Sequence, residues 1–213
     1  MMVGRRWLID ALLLASVAAA CGSAAREPAA SRTPDGEVLP GRPRRVTFVA
    51  HRGGIVAGHP ENTTDAFRQA IRHGVDAIEI DLRATSDGQI IVMHDETVDR
   101  TTDGRGAVAD FTLAELKTLD AGRGQRIPTY EELLELVAGT EVSLLLDIKE
   151  GGTLDTREVV RLTREHDAAA GVIVGARTLD GLRIFHEIDS TLRMLGFVAA
   201  VEDVEAFIEA GVG

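Results

Sequence analysis

The chain has 213 residues and a formal net charge of −11, enough for one domain with a substantial core. The acidic balance argues against nucleic acid as a partner, because that binding needs a basic surface to replace phosphate counterions. The single cysteine, Cys21, excludes a disulfide framework.

The first twenty residues have the parts of a secretory signal. Arg5 and Arg6 form a positive start, Leu12 to Ala20 an apolar run, and small residues Ala18, Ala19 and Ala20 stand directly before Cys21. The run is shorter than the roughly 20 residues that span a bilayer. Small residues followed by Cys resemble a bacterial lipobox, in which the cysteine is acylated and becomes the mature N-terminus. The expectation is a lipoprotein exported across a bacterial cytoplasmic membrane and anchored to a membrane through Cys21. Residues 21–45, rich in Ala, Pro, Ser, Gly and Arg, read as a flexible linker. The folded domain is expected over residues 46–213.

Strand-like runs follow at Val46–Ala50, Ala77–Leu82, Ile90–His94, Val142–Ile148, Val172–Gly175 and Leu192–Val198. Helical periodicity places helices at Thr63–His73, Leu113–Leu119, Tyr130–Val137, Thr156–His166, Leu179–Ile188 and Val201–Ala210. Strands alternating with helices predict an α/β protein with a parallel sheet. Six strands in this order fit either a (β/α) barrel or an open doubly wound sheet. Gly53-Gly54 after the first strand is not the G-x-G-x-x-G of a dinucleotide site.

Polar residues unsuited to a core recur at the strand ends. His51 and Arg52 close the first strand, Glu79 and Asp81 the second, His94 the third, Asp147 and Lys149 the fourth. Carboxyl ends of strands are where barrel enzymes build their sites. Residues two apart on a strand share a face, so Glu79 and Asp81 project together, as do Asp147 and Lys149. Ionised carboxylates in an interior are costly unless a cation sits among them. Three hard oxygen ligands favour Mg²⁺ or Ca²⁺. His51 and His94 suit acid–base work, and Arg52 and Lys149 suit an anionic substrate. Any one of these residues alone reads as a solvated strand end; seven at four successive ends read as a site. His73, His166 and His186 read as helix-end or surface residues.

The residues also resemble a known family. His51-Arg52-Gly53, Pro60-Glu61-Asn62-Thr63, Glu79-Ile80-Asp81, His94-Asp95, Arg100-Thr101-Thr102 with Gly104, Ile127-Pro128-Thr129 and Asp147-Ile148-Lys149 occur in order. Together they look like the signature of the glycerophosphodiester phosphodiesterases. The resemblance implies a TIM (β/α)8 barrel that hydrolyses glycerophosphodiesters to an alcohol and sn-glycerol 3-phosphate. It implies His51 and His94 as the acid–base pair, and Glu79, Asp81 and Asp147 as ligands of a divalent metal, the third being often Glu in the family. It implies Arg52 and Lys149 as phosphate contacts, Glu61 and Asn62 at the same mouth, and 95–126 as the segment beside the substrate entrance. A lipid-directed phosphodiesterase of phospholipase C or D type, or a metal-binding protein without turnover, remain alternatives. A complete barrel typically takes roughly 250 residues. Six βα units therefore lead to the expectation of a C-terminally incomplete chain, poorly stable alone and weakly active or inactive.

Overall fold

The computed structural model describes residues 47–54, 58–148 and 154–210. The signal, anchor and linker expected over residues 1–45, with Cys21, lie outside these residues, as does Lys149.

Six strands are present among the described residues: β1 (Val49–His51), β2 (Ala77–Ala84), β3 (Ile90–Val92), β4 (Ser143–Ile148), β5 (Val172–Ala176) and β6 (Arg193–Gly196). β1, β2, β4, β5 and β6 are all parallel and lie side by side in chain order. A doubly wound sheet reverses its strand order at a switch point. No reversal occurs here, so the sheet winds in one direction, as the wall of a barrel does.

The expectation of a parallel strand at Ile90–His94 is corrected. β3 pairs antiparallel with the end of β2, with Leu82 opposite Val92 and Ala84 opposite Ile90. The cause is the connection. Only Thr85 to Gln89 join the two strands, whereas a parallel return needs a crossover of a dozen or more residues. The turn is closed by Thr85 N–H to the Gln89 carbonyl at 2.9 Å and Gly88 N–H to the Thr85 carbonyl at 3.0 Å. β4 occupies one edge of β2 as far as Leu82. β3 therefore takes the other edge, beyond the point where β1 ends. The sheet has five parallel strands and one hairpin arm rather than six parallel strands.

Helices α1 (Thr64–Arg72), α3 (Tyr130–Val137), α4 (Thr156–Glu165), α5 (Leu179–Ile188) and α6 (Val204–Glu209) cover the outer face, and α2 (Leu113–Leu116) lies in the segment after β3. Side chains of Thr63 and Thr129 cap α1 and α3, the latter in a reciprocal capping box with Glu132. Alternate positions of β2 and β4 point outward: Ile78, Ile80, Leu82, Leu144 and Leu146 join Phe67, Leu133, Val159 and Phe185 in one buried core. The remaining positions, Glu79, Asp81, Leu145 and Asp147, therefore face inward. A smaller core of Ile91, Met93, Val98, Val108, Leu116 and Ile127 packs the segment after β3 against that strand. The helix expected over Leu113–Leu119 is the single turn α2, because Lys117 already caps it.

Candidate active site

β2 and β4 bring the carboxylates together. Asp81 is the direct neighbour of Asp147 across the parallel pair, and Glu79 lies two residues earlier on the same face. One ligand oxygen from each of Glu79, Asp81 and Asp147 lies within 4.8 Å of the others, and all three residues are buried. Burial pushes the Glu79 pKa above its ordinary value, and the neighbouring charge of Asp81 and, more weakly, Asp147 adds to it. The Arg52 N–H and His51 act in the opposite sense. Like charges this close, removed from water, are costly unless positive charge offsets them.

The turn after β1 supplies part of that compensation. Arg52 donates its backbone N–H to Glu79 Oε2 at 2.9 Å and its Nη1 to Glu61 Oε1 at 3.0 Å. Its Nε lies 3.5 Å from Asp81 Oδ2, and His51 Nε2 lies 3.8 Å from Glu79 Oε2. Asn62 donates Nδ2 to Asp81 Oδ2 at 3.1 Å. Its buried Oδ1 has no hydrogen-bond partner among the described residues. These contacts need an unusual backbone. Arg52 and Asn62 both take left-handed φ angles, 53° and 54°, joined by Asn62 N–H to the Arg52 carbonyl at 3.0 Å. Gly53 completes the turn; a Cβ there would meet Phe67 Cδ1 at 2.8 Å. The His51–Gly53 and Pro60–Thr63 motifs are thus two halves of one structure seated on α1.

His94 reaches the site on the hairpin arm, not at the end of a parallel strand. β2 overshoots the mouth and β3 returns toward it, with Met93 N–H on the Asp81 carbonyl at 2.9 Å. Arg83 Nε and Nη2 hold the His94 carbonyl at 3.0 and 2.6 Å. His94 Nδ1 lies 2.7 Å from Asp95 Oδ1. Arg100 grips Asp95 through Nε and Nη2 at 2.6 and 3.0 Å, and Glu61 through Nη1 and Nη2 at 2.9 and 2.7 Å. The hydrogen bonds from Arg100 are the main cause holding the Asp95 carboxyl far below, and the Glu61 carboxyl below, the ordinary carboxylate range. Glu61, Asn62 and His94 line one small cavity.

Arg177 is a site residue that the sequence reading did not single out. It follows β5 directly and donates Nη2 to Asp147 Oδ2 at 2.7 Å. Its guanidinium stacks 4.8 Å from the centre of the Phe197 ring. Gly175 makes this possible, since a Cβ there would lie 2.5 Å from Phe197 Cε2. The signal was available: Arg177 stands at the carboxyl end of the fifth strand-like run, as Arg52 does after the first.

Hard oxygen donors, mutual repulsion among three buried carboxylates and the Asn62 carbonyl oxygen all fit a divalent cation. Among the described residues no helix is long and apolar enough to cross a membrane.

A singly wound parallel sheet with a metal-competent carboxylate cluster at the carboxyl ends of its strands is the arrangement of a TIM-barrel protein with a candidate metal site. The chain belongs to the glycerophosphoryl diester phosphodiesterase family, whose model matches residues 51–187. It is 41% identical over 142 residues to a glycerophosphodiester phosphodiesterase of Caldanaerobacter subterraneus, covering 62% of this chain and 58% of that one. It is 34% identical over 174 residues to one from Bacillus subtilis, covering 70% and 58%. A crystal structure of a family member from Parabacteroides distasonis superposes with a TM-score of 0.69 at 30% identity, covering 78% of this chain and 59% of that one. One from Agrobacterium tumefaciens gives 0.65 at 26% identity, covering 79% and 84%. The chain spans 58% of the length of these two curated relatives.

Proposed function

We propose that this site hydrolyses glycerophosphodiesters to an alcohol and sn-glycerol 3-phosphate, with one Mg²⁺ or Ca²⁺ ion held by Glu79, Asp81 and Asp147. The observation that carries the reading is the trio of buried carboxylates within 4.8 Å, flanked by His51 and by the hairpin that presents His94. When bound, the ion supplies charge neutralisation and polarisation of a phosphoryl oxygen. His51 accepts the proton of the attacking oxygen. His94 gives a proton to the leaving alkoxide. Arg52 and Lys149 bind the phosphate, with Glu61 holding the Arg52 guanidinium at 3.0 Å.

The substrate is placed by a panel of glycerophosphocholine, phosphatidylinositol and sphingomyelin. The reading expects glycerophosphocholine to be cleaved, with glycerol 3-phosphate as a product. Turnover of the intact lipids alone would move the site to a phospholipase of C or D type. No turnover of any, with metal retained, would make it a binding site.

The N-terminal sequence supports export and a lipid anchor at Cys21. Labelled palmitate is expected to enter the wild-type protein and not Cys21→Ser, which is released from the membrane or left unprocessed. Absence of label in the wild type removes the anchor from the account.

A further inference from the structure

We propose that Asp95 and Arg100 are positioning residues for His94, forming with Glu61 a clamp that fixes the imidazole for proton delivery to the leaving group. The inference rests on the reading of His94 as general acid and goes beyond it, because it assigns work to residues outside the metal and phosphate sets.

The geometry is directional. Asp95 is held ionised by the Arg100 fork, so its oxygens can only accept. The 2.7 Å contact with His94 Nδ1 therefore makes Nδ1 the donor and leaves Nε2 to carry the transferable proton. Such a carboxylate fixes both tautomer and ring orientation. Arg100 is itself held on its other side by both oxygens of Glu61. Glu61 in turn accepts from Arg52, whose N–H binds Glu79. The hairpin carrying His94 is thereby tied to the turn that directly follows His51. The His94 carbonyl is anchored separately by Arg83. Backbone and ring are each fixed, by different arginines.

In the step served, the attacking oxygen bonds to phosphorus and gives its proton to His51, while the P–O bond to the leaving alcohol breaks with its electron pair going to the alcohol oxygen. The proton on His94 Nε2 goes to that oxygen. His94 is left as neutral imidazole, with Nδ1–H still on Asp95.

The test uses two substrates that differ in their need for that proton. Glycerophosphoethanolamine leaves as an alkoxide and needs it; the 4-nitrophenyl ester of glycerol 3-phosphate leaves as a phenolate and does not. Asp95→Asn preserves shape, and Arg100→Gln alters a half-exposed side chain, so both variants should fold; thermal melting and metal affinity check this. Each variant is expected to slow the alkyl substrate by about 10²-fold and the nitrophenyl substrate by less than about threefold, since the loss falls on general acid catalysis alone. A residue that only supports the fold would slow both substrates equally, and that result, or no slowing of either, would overturn the proposal. His94→Ala is run beside them. If it is leaving-group selective and Asp95→Asn is not, the clamp alone fails. If His94→Ala is itself unselective, the general-acid reading fails and the clamp with it.

Discussion

Alanine at His51 or at His94 is expected to reduce turnover of a glycerophosphodiester by about 10²–10⁴-fold, the usual contribution of a general acid or base. The loss should not be one of folding. The His51 side chain is 59% exposed and the His94 side chain 34% exposed, so truncating either opens no cavity in the core clusters. His51 is the last residue of β1, with Nε2 3.8 Å from Glu79 Oε2, and His94 stands on the hairpin return with Nδ1 2.7 Å from Asp95 Oδ1. In the proposed reaction the two serve different protons, so each variant alone should be crippled. kcat measured on glycerophosphocholine, with thermal melting as a control, decides it. Near-wild-type turnover in a folded His51→Ala or His94→Ala protein takes that residue out of the catalytic pair.

The second large effect is loss of the ion. Asp81→Asn is expected to abolish divalent-metal binding, because Asp81 lies between Glu79 on its own strand and Asp147 across the pair. Calorimetric titration reads this directly. In the wild type, an ion at a hundred times its Kd should add about 2.7 kcal/mol to stability, seen as a rise in melting temperature that Asp81→Asn lacks. Asp147→Asn should weaken affinity more than Lys149→Gln, since the first removes the charge of a proposed ligand and the second a proposed phosphate contact. The pH dependence has a definite sign. Ligands must be deprotonated to bind. Burial and neighbouring carboxylates raise the Glu79 pKa above its ordinary value. Metal affinity should therefore fall with decreasing pH, beginning at a higher pH than an exposed glutamate would impose. Affinity in Asp81→Asn equal to wild type would contradict the ligand assignment.

The inward pairing of Glu79 with Asp81 was legible because strand periodicity is strictly two, and the pattern Ile78, Ile80, Leu82 marked the opposite, outward face. Asp147 was legible for the same reason, between Leu146 and Ile148. The direction of β3 was readable too, from the five residues of its connection to β2, but apolar content alone does not distinguish a barrel strand from a hairpin arm. The singly wound order could not be read from alternation of strands and helices, which a doubly wound sheet shares; it lies in the pairings. Arg100 was visible as part of a motif and not as a clamp, because Glu61 is 39 residues away in sequence. Arg177 was visible as a cation at a strand end, but its pairing with Asp147, 30 residues away, was not, nor its support by Phe197, which reaches it only because Gly175 has no side chain.

The central claim is that the carboxylates of β2 and β4, loaded with a divalent ion, hydrolyse a glycerophosphodiester. It is tested most directly by measuring glycerol 3-phosphate released from glycerophosphocholine by the purified protein as isolated, after exhaustive chelation, and after Mg²⁺ or Ca²⁺ is returned. The account predicts release that stops on chelation and recovers with the ion in the wild type, and does not recover in Asp81→Asn. Undiminished release after chelation, or recovery in Asp81→Asn equal to wild type, would contradict it.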